Sequence, residues 1–187
     1  MKKIVFIVTM AFVSIAAFAQ PKFAHVNFSE LVQLMPEADK ARATISASTQ
    51  EFQETYQAML DEYNTKLTQY QQKGSTMTAA IRDSKEKELL DIQARIQDFS
   101  QTVEAELQQQ QQQLMAPIYQ KAQETLTKLA KENGFIYVFD ASSLVYFDDT
   151  QSTDVTPMAR KALNIPADRT LESLQAELQA QAQAQAQ

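Results

Sequence analysis

From Glu37 to Lys73 the chain contains neither glycine nor proline, and its apolar residues recur at Ile45, Phe52, Tyr56, Met59, Tyr63, Leu67 and Tyr70. Those steps of seven, four, three, four, four and three follow a heptad seam. Gly74-Ser75-Thr76 breaks the run. A second seam follows through Met77, Ile81, Leu89, Ile92, Ile96, Phe99, Val103, Leu107, Leu114, Ile118, Ala122, Leu126 and Leu129. It stops at Asn133-Gly134, a helix C-terminal signal. Two long helices around a short breaker predict an antiparallel coiled-coil hairpin over 37–133, with its tip near 74–76.

The two arms are unequal. At 1.5 Å per residue the outgoing arm spans roughly 55 Å and the returning arm roughly 87 Å. About 21 residues of the return therefore overshoot the hairpin base. Pro117 falls near that point. A proline inside a helix removes one hydrogen bond and usually kinks it, so the arm is expected to join a compact body near 113–117.

The body must come from what remains. Lys22-Phe-Ala-His-Val-Asn-Phe28 alternates, with Ala24, Val26 and Phe28 on one face and Phe23, His25 and Asn27 on the other, as a strand does. Ser29 is placed to cap a short helix carrying Leu31, Val32 and Met35, which Pro36 interrupts. Phe135-Ile-Tyr-Val-Phe139 reads as a buried strand. A turn at Asp140–Ser143, a second strand over Leu144–Phe147 and a polar loop from Asp148 to Asp154 complete the reading. Thr156 then caps a helix with Pro157 at its first position, running to Ile165. From Pro166 onward Leu171, Leu174 and Leu178 stand at helical spacing, followed by a Gln/Ala repeat; residues 166–187 are read as a low-complexity tail, frayed or disordered.

The two body pieces, 20–36 and 134–165, amount to about 49 residues, a marginal core without disulfides, metal or self-association. Cysteine is absent. Self-association is what remains, with the strands pooled in a shared hub. The fold class is therefore α+β, a small β-rich oligomerisation body carrying a long helical hairpin.

Composition narrows the chemistry. The chain has two glycines, no cysteine, no tryptophan and one histidine in 187 residues. Glycine-rich phosphate loops, zinc clusters and thiol nucleophiles are thereby excluded, and a Ser/His/Asp triad has no spare histidine. No enzyme is expected, nor any cofactor or metal. Residues 1–19 have the form of a signal peptide: Lys2 and Lys3, the apolar stretch Ile4 to Phe18, then Ala17-Phe18-Ala19 before Gln20. That apolar stretch is short of the roughly 20 residues needed to span a bilayer, so export with no stable membrane insertion is expected. Cleavage would remove two lysines and no acid, leaving a net charge of −8. Such a chain is a poor partner for nucleic acid or an anionic membrane.

The order of these blocks resembles the Skp (OmpH-like) family of periplasmic chaperones of Gram-negative bacteria. The resemblance rests on Lys22-Phe-Ala-His-Val-Asn-Phe-Ser29, the hairpin with Leu114-Met-Ala-Pro-Ile118, and Asn133-Gly-Phe-Ile-Tyr-Val-Phe-Asp140. It continues through Leu144-Val-Tyr-Phe147, Asp154-Val-Thr-Pro-Met158 and Ala162-Leu-Asn-Ile165. It implies a jellyfish-like homotrimer with a β-barrel hub and three helical tentacles around a cavity. It also implies an ATP-independent holdase that keeps unfolded outer-membrane proteins from aggregating. Well-known members are strongly basic, whereas this chain is acidic, and the tail after Ile165 lies beyond the usual family end.

Candidate client-binding residues are Tyr56, Met59, Tyr63, Tyr70, Met77 and Phe99, since flexible thioethers and hydrated rings suit clients without fixed shape. The competing role for each is to zip the two helices together. Trimer-hub candidates are Val26, Phe28, Ile136, Val138, Val145 and Phe147, each also compatible with a plain core role. His25 reads as a satisfied strand residue. Asp148, Asp149 and Asp154 read as turn and cap residues, without calcium-loop spacing. Gln108–Gln113 reads as a solvated helix face. The alternative function is an envelope coiled-coil spacer or adaptor binding one folded partner.

Overall fold

The computed structural model describes residues 21–185. The signal-peptide reading of 1–19 lies outside the described residues. The fold is mostly helical with one small parallel sheet. In chain order the elements are β1 (Lys22–Val26), α1 (Phe28–Gln33), α2 (Pro36–Lys73), α3 (Ala79–Asn133), β2 (Phe135–Asp140), β3 (Ser152–Asp154), α4 (Thr156–Ala162) and α5 (Leu171–Gln185). Short 3-10 turns at Gly74–Thr76 and Ala141–Ser143 link α2 to α3 and follow β2.

The chain divides into two compact units: the residues up to Pro36 with those from Ile118 onward, and Glu37–Pro117. Helix α3 runs unbroken through Pro117 and so contributes to both. The first unit takes in Ile118–Asn133 and the C-terminal segment as well as the two β-rich pieces.

In that unit the sheet order is β2-β1-β3, with both pairings parallel. Phe23 faces Tyr137 and Ser152 across the ladders, and His25 faces Phe139 and Asp154. The alternation in β1 sorts its faces: Ala24 and Val26 are buried, while Phe23 and His25 are half-exposed. Leu31, Val32, Leu34 and Met35 from α1 and the turn after it are buried too, as are Ile118, Ala122, Leu126, Val155, Ala159, Leu163, Ile165 and Leu174. Asn133 ends α3 as the sequence implied, because Gly134 adopts the left-handed conformation at φ 69°.

Several local expectations are corrected. The segment Leu144–Phe147 is not a strand; the third strand is Ser152–Asp154, inside the supposed loop. A central strand has only two edges, and β1 gives one to β2 and the other to β3. Val155 decides the contest, being buried and donating its N–H to the His25 carbonyl at 3.0 Å, which lays the three preceding residues along β1. Phe135–Phe139 is a strand but not a buried one: at the sheet edge, Ile136 and Tyr137 are well exposed.

The helix starts also shift. Asn27, not Ser29, caps α1, its Oδ1 accepting from Glu30 N at 3.1 Å. Pro36 opens α2 rather than merely interrupting α1, where its missing N–H costs nothing. Helix α4 has Val155 at its N-cap, and the Asp154 carboxylate accepts from Thr156 N at 2.8 Å. Part of the tail is ordered helix. Thr170 and Ser173 exchange side-chain to backbone hydrogen bonds at 3.0 and 3.1 Å, a capping box that starts α5. Leu174 is buried one residue later, and Arg169 holds both Glu177 oxygens at 2.6 Å. Arg160 donates to the Pro166 carbonyl at 2.8 Å, tying the segment to α4.

In the second unit, α2 and the first part of α3 are linked by side chains. Going out along α2, Ser48, Phe52, Glu62, Tyr63, Lys66 and Tyr70 meet Gln110, Phe99, Arg95, Gln93, Glu88 and Glu86 in turn. At the turn Arg82 donates to the Gly74 carbonyl at 3.3 Å. Little is buried here: Ala38, Ala41 and Ile92.

Candidate functional site

Two surfaces carry the residues singled out by sequence, and each unit holds one. On the helix pair, Tyr63, Tyr70 and Phe99 are engaged between helices. The Tyr63 hydroxyl accepts from Gln93 Nε2 at 2.7 Å. The Tyr70 hydroxyl donates to the Glu86 carboxylate, and that contact pushes the Tyr70 pKa up. Phe99 meets Phe52 edge-on at 6.3 Å between centroids. All three rings remain half-exposed, as do Met59 and Met77. Tyr56 is the most open of the set, at 38% exposure.

Near the tip, Glu88 sits between two lysines. Lys66 and Lys85 both donate to its carboxylate, the latter at 2.7 Å, and hold its pKa down at about 2. The same contact raises the Lys66 pKa. These groups are solvent-accessible, so screening keeps the gain small.

On the sheet unit, Val26 is fully buried, Phe28, Val138 and Phe147 are half-buried, and Ile136 and Val145 are exposed. Val26, Phe28, Ile136 and Val138 line one open groove of about 630 Å³ with Tyr119 and Leu126. Phe28 and Tyr119 rings lie 6.1 Å apart there. The opposite sheet face is aromatic. Phe23, Tyr137 and Phe139 form a cluster with centroids 5.7–6.3 Å apart. The Phe147 ring lies 4.6 Å from His25, whose Nδ1 is 2.9 Å from Ser152 Oγ. Tyr146 is 82% exposed and Val145 wholly so.

Sequence reasoning passed over Tyr119, Tyr137, Phe139 and Tyr146, all exposed by more than a third. For Tyr137 and Phe139 a signal existed, since they alternate with Ile136 and Val138 along one strand. Asp148 is a turn residue: the Thr150 hydroxyl and N–H both donate to it, which lowers its pKa. Among the described residues no cluster of His, Asp and Glu suits a metal, and no helix is long and apolar enough to cross a membrane.

Long linked helices with little core in one unit, and a small parallel sheet with open apolar faces in the other, define an α+β protein that presents surface. The model of the family Outer membrane protein (OmpH-like) matches residues 22–163, and the chain belongs to that family. It is 25% identical over 147 residues to the Chaperone protein Skp of Yersinia enterocolitica, covering 79% of this chain and 88% of the relative. The Skp of Pectobacterium atrosepticum is 24% identical over 128 residues, covering 68% and 78%. That of Photorhabdus laumondii is 25% identical over 139 residues, covering 74% and 84%. These similarities support a chaperone of the Skp type.

Proposed function

We propose that this protein is an exported, ATP-independent holdase that binds unfolded outer-membrane proteins and keeps them from aggregating. The active form in this reading is a homotrimer in the periplasm, its signal peptide removed after Ala19. Each copy contributes an antiparallel coiled-coil hairpin as an arm, and the three arms enclose the client. The pooled β-segments make the hub, with Ile136, Val138, Val145 and Phe147 packing between copies.

One observation carries the reading: over Glu37–Pro117 the buried residues are Ala38, Ala41 and Ile92, while Tyr and Met side chains stay half-exposed. A helix pair of that length with so little core is organised as surface. Many weak contacts of under about 1 kcal/mol each then sum by multivalency and still release readily. Tyr56, Met59 and Met77 supply such contacts, and the exposed parts of Tyr63, Tyr70 and Phe99 add to them.

The mature protein should suppress aggregation of a denatured outer-membrane β-barrel at stoichiometric amounts without nucleotide. Absence of suppression at several-fold excess would overturn the reading. Capture of one folded partner in place of many unfolded chains would favour the spacer alternative.

A further inference from the structure

Both apolar seams of the helix pair skip a heptad position. On α2 the apolar residues pass from Ile45 to Phe52, and on α3 from Leu107 to Leu114. Three residues into each gap stand Ser48 and Gln110. The fold brings these two polar side chains together, with Gln110 Nε2 donating to Ser48 Oγ at 2.9 Å in a half-buried setting.

Gln110 Oε1 is buried too, and no donor among the described residues reaches it. Turning the carboxamide over offers Oε1 to the serine hydroxyl and strands the NH2 instead. Either orientation leaves one buried polar atom unmet. The Tyr63–Gln93 and Lys66–Glu88 pairs farther along carry no such unmet atom.

We infer that the Ser48–Gln110 pair is a soft point built into the seam, where α2 and α3 part first. Closed, the seam forgoes an apolar contact at this level and keeps a polar atom from water. Parted, that atom is hydrated, so opening is opposed less here than at Ile92, the buried apolar residue of the same seam. A polar residue at a core position of a coiled coil lowers stability in the same way. The functional consequence, which alone rests on the holdase reading, is a helix pair that opens locally at this level around clients of different bulk while its flanks stay folded.

Native-state hydrogen exchange on the mature chain, with no client present, tests this. Amides over 45–51 and 107–113 should exchange about tenfold faster than those flanking Ile92, once corrected for intrinsic rates. The double substitution Ser48→Ala with Gln110→Leu should slow those same amides about tenfold and leave the Ile92 region unchanged. Equal protection in the wild type, or no slowing in the double variant, overturns the inference. Should the double variant fail to fold, Ser48→Ala alone strips Gln110 of its partner and must speed exchange at the same amides; unchanged rates overturn it equally. Because the measurement contains no client, a failed holdase assay leaves this result standing.

Discussion

Individual residues on the helix pair fall into two kinds, and substitutions should separate them. Tyr63 spends its hydroxyl on Gln93, so Tyr63→Phe should lower stability slightly, by less than about 1 kcal/mol, and leave client grip intact. Tyr56 is the more open ring, so Tyr56→Ala should weaken client binding with little change in melting. The opposite partition, read by calorimetry and a client-binding titration, would reverse the two roles. Glu88 gives a pH signature. Its folded pKa of about 2 lies below the ordinary 4.5, so its contribution is complete above about pH 4.5 and fades as pH falls toward 2. Glu88→Gln should therefore narrow the drop in thermal midpoint between about pH 6 and pH 3, followed by circular dichroism.

Among the elements, α5 departs most from what its composition suggests. Leu171, Leu174 and Leu178 recur at helical spacing ahead of its Gln/Ala repeat; Leu174 is 4% exposed and Arg169 grips Glu177. Those two anchors order the start of a helix whose later turns are exposed. Leu174→Ala should cost about 2–3 kcal/mol in chemical denaturation, the ordinary loss for a buried leucine. A cost near zero would mean that α5 adds nothing to the core. The exchange of strands, Leu144–Phe147 for Ser152–Asp154, has the same lesson. Residues 144–147 have the side chains of a strand, but strand formation also needs a free edge, and propensity is silent about edges.

At the scale of the whole molecule, the proposed trimer makes a mass measurement decisive. Sedimentation of the mature chain at micromolar concentration should give a trimer, whereas a stable folded monomer would remove the basis for an enclosing mode of action. A net charge of −8 is expected for the mature chain. If grip is mainly apolar, client affinity should change little between low and moderate salt, because screening acts on charges and not on buried methyl groups. A steep loss of affinity with added salt would show a basic patch at work instead.

The sequence by itself determined the two long helices, the break at Gly74–Thr76, the stop at Asn133-Gly134 and the two faces of β1. Each depends on spacing or on backbone conformation within a few residues, which is local chemistry. Tertiary structure alone decided which segment takes the second edge of β1, which tyrosines spend their hydroxyls between helices, and that Ser48 meets Gln110. Those outcomes depend on which residues far apart in the chain compete for one edge or one partner, and periodicity along a single segment does not encode that competition.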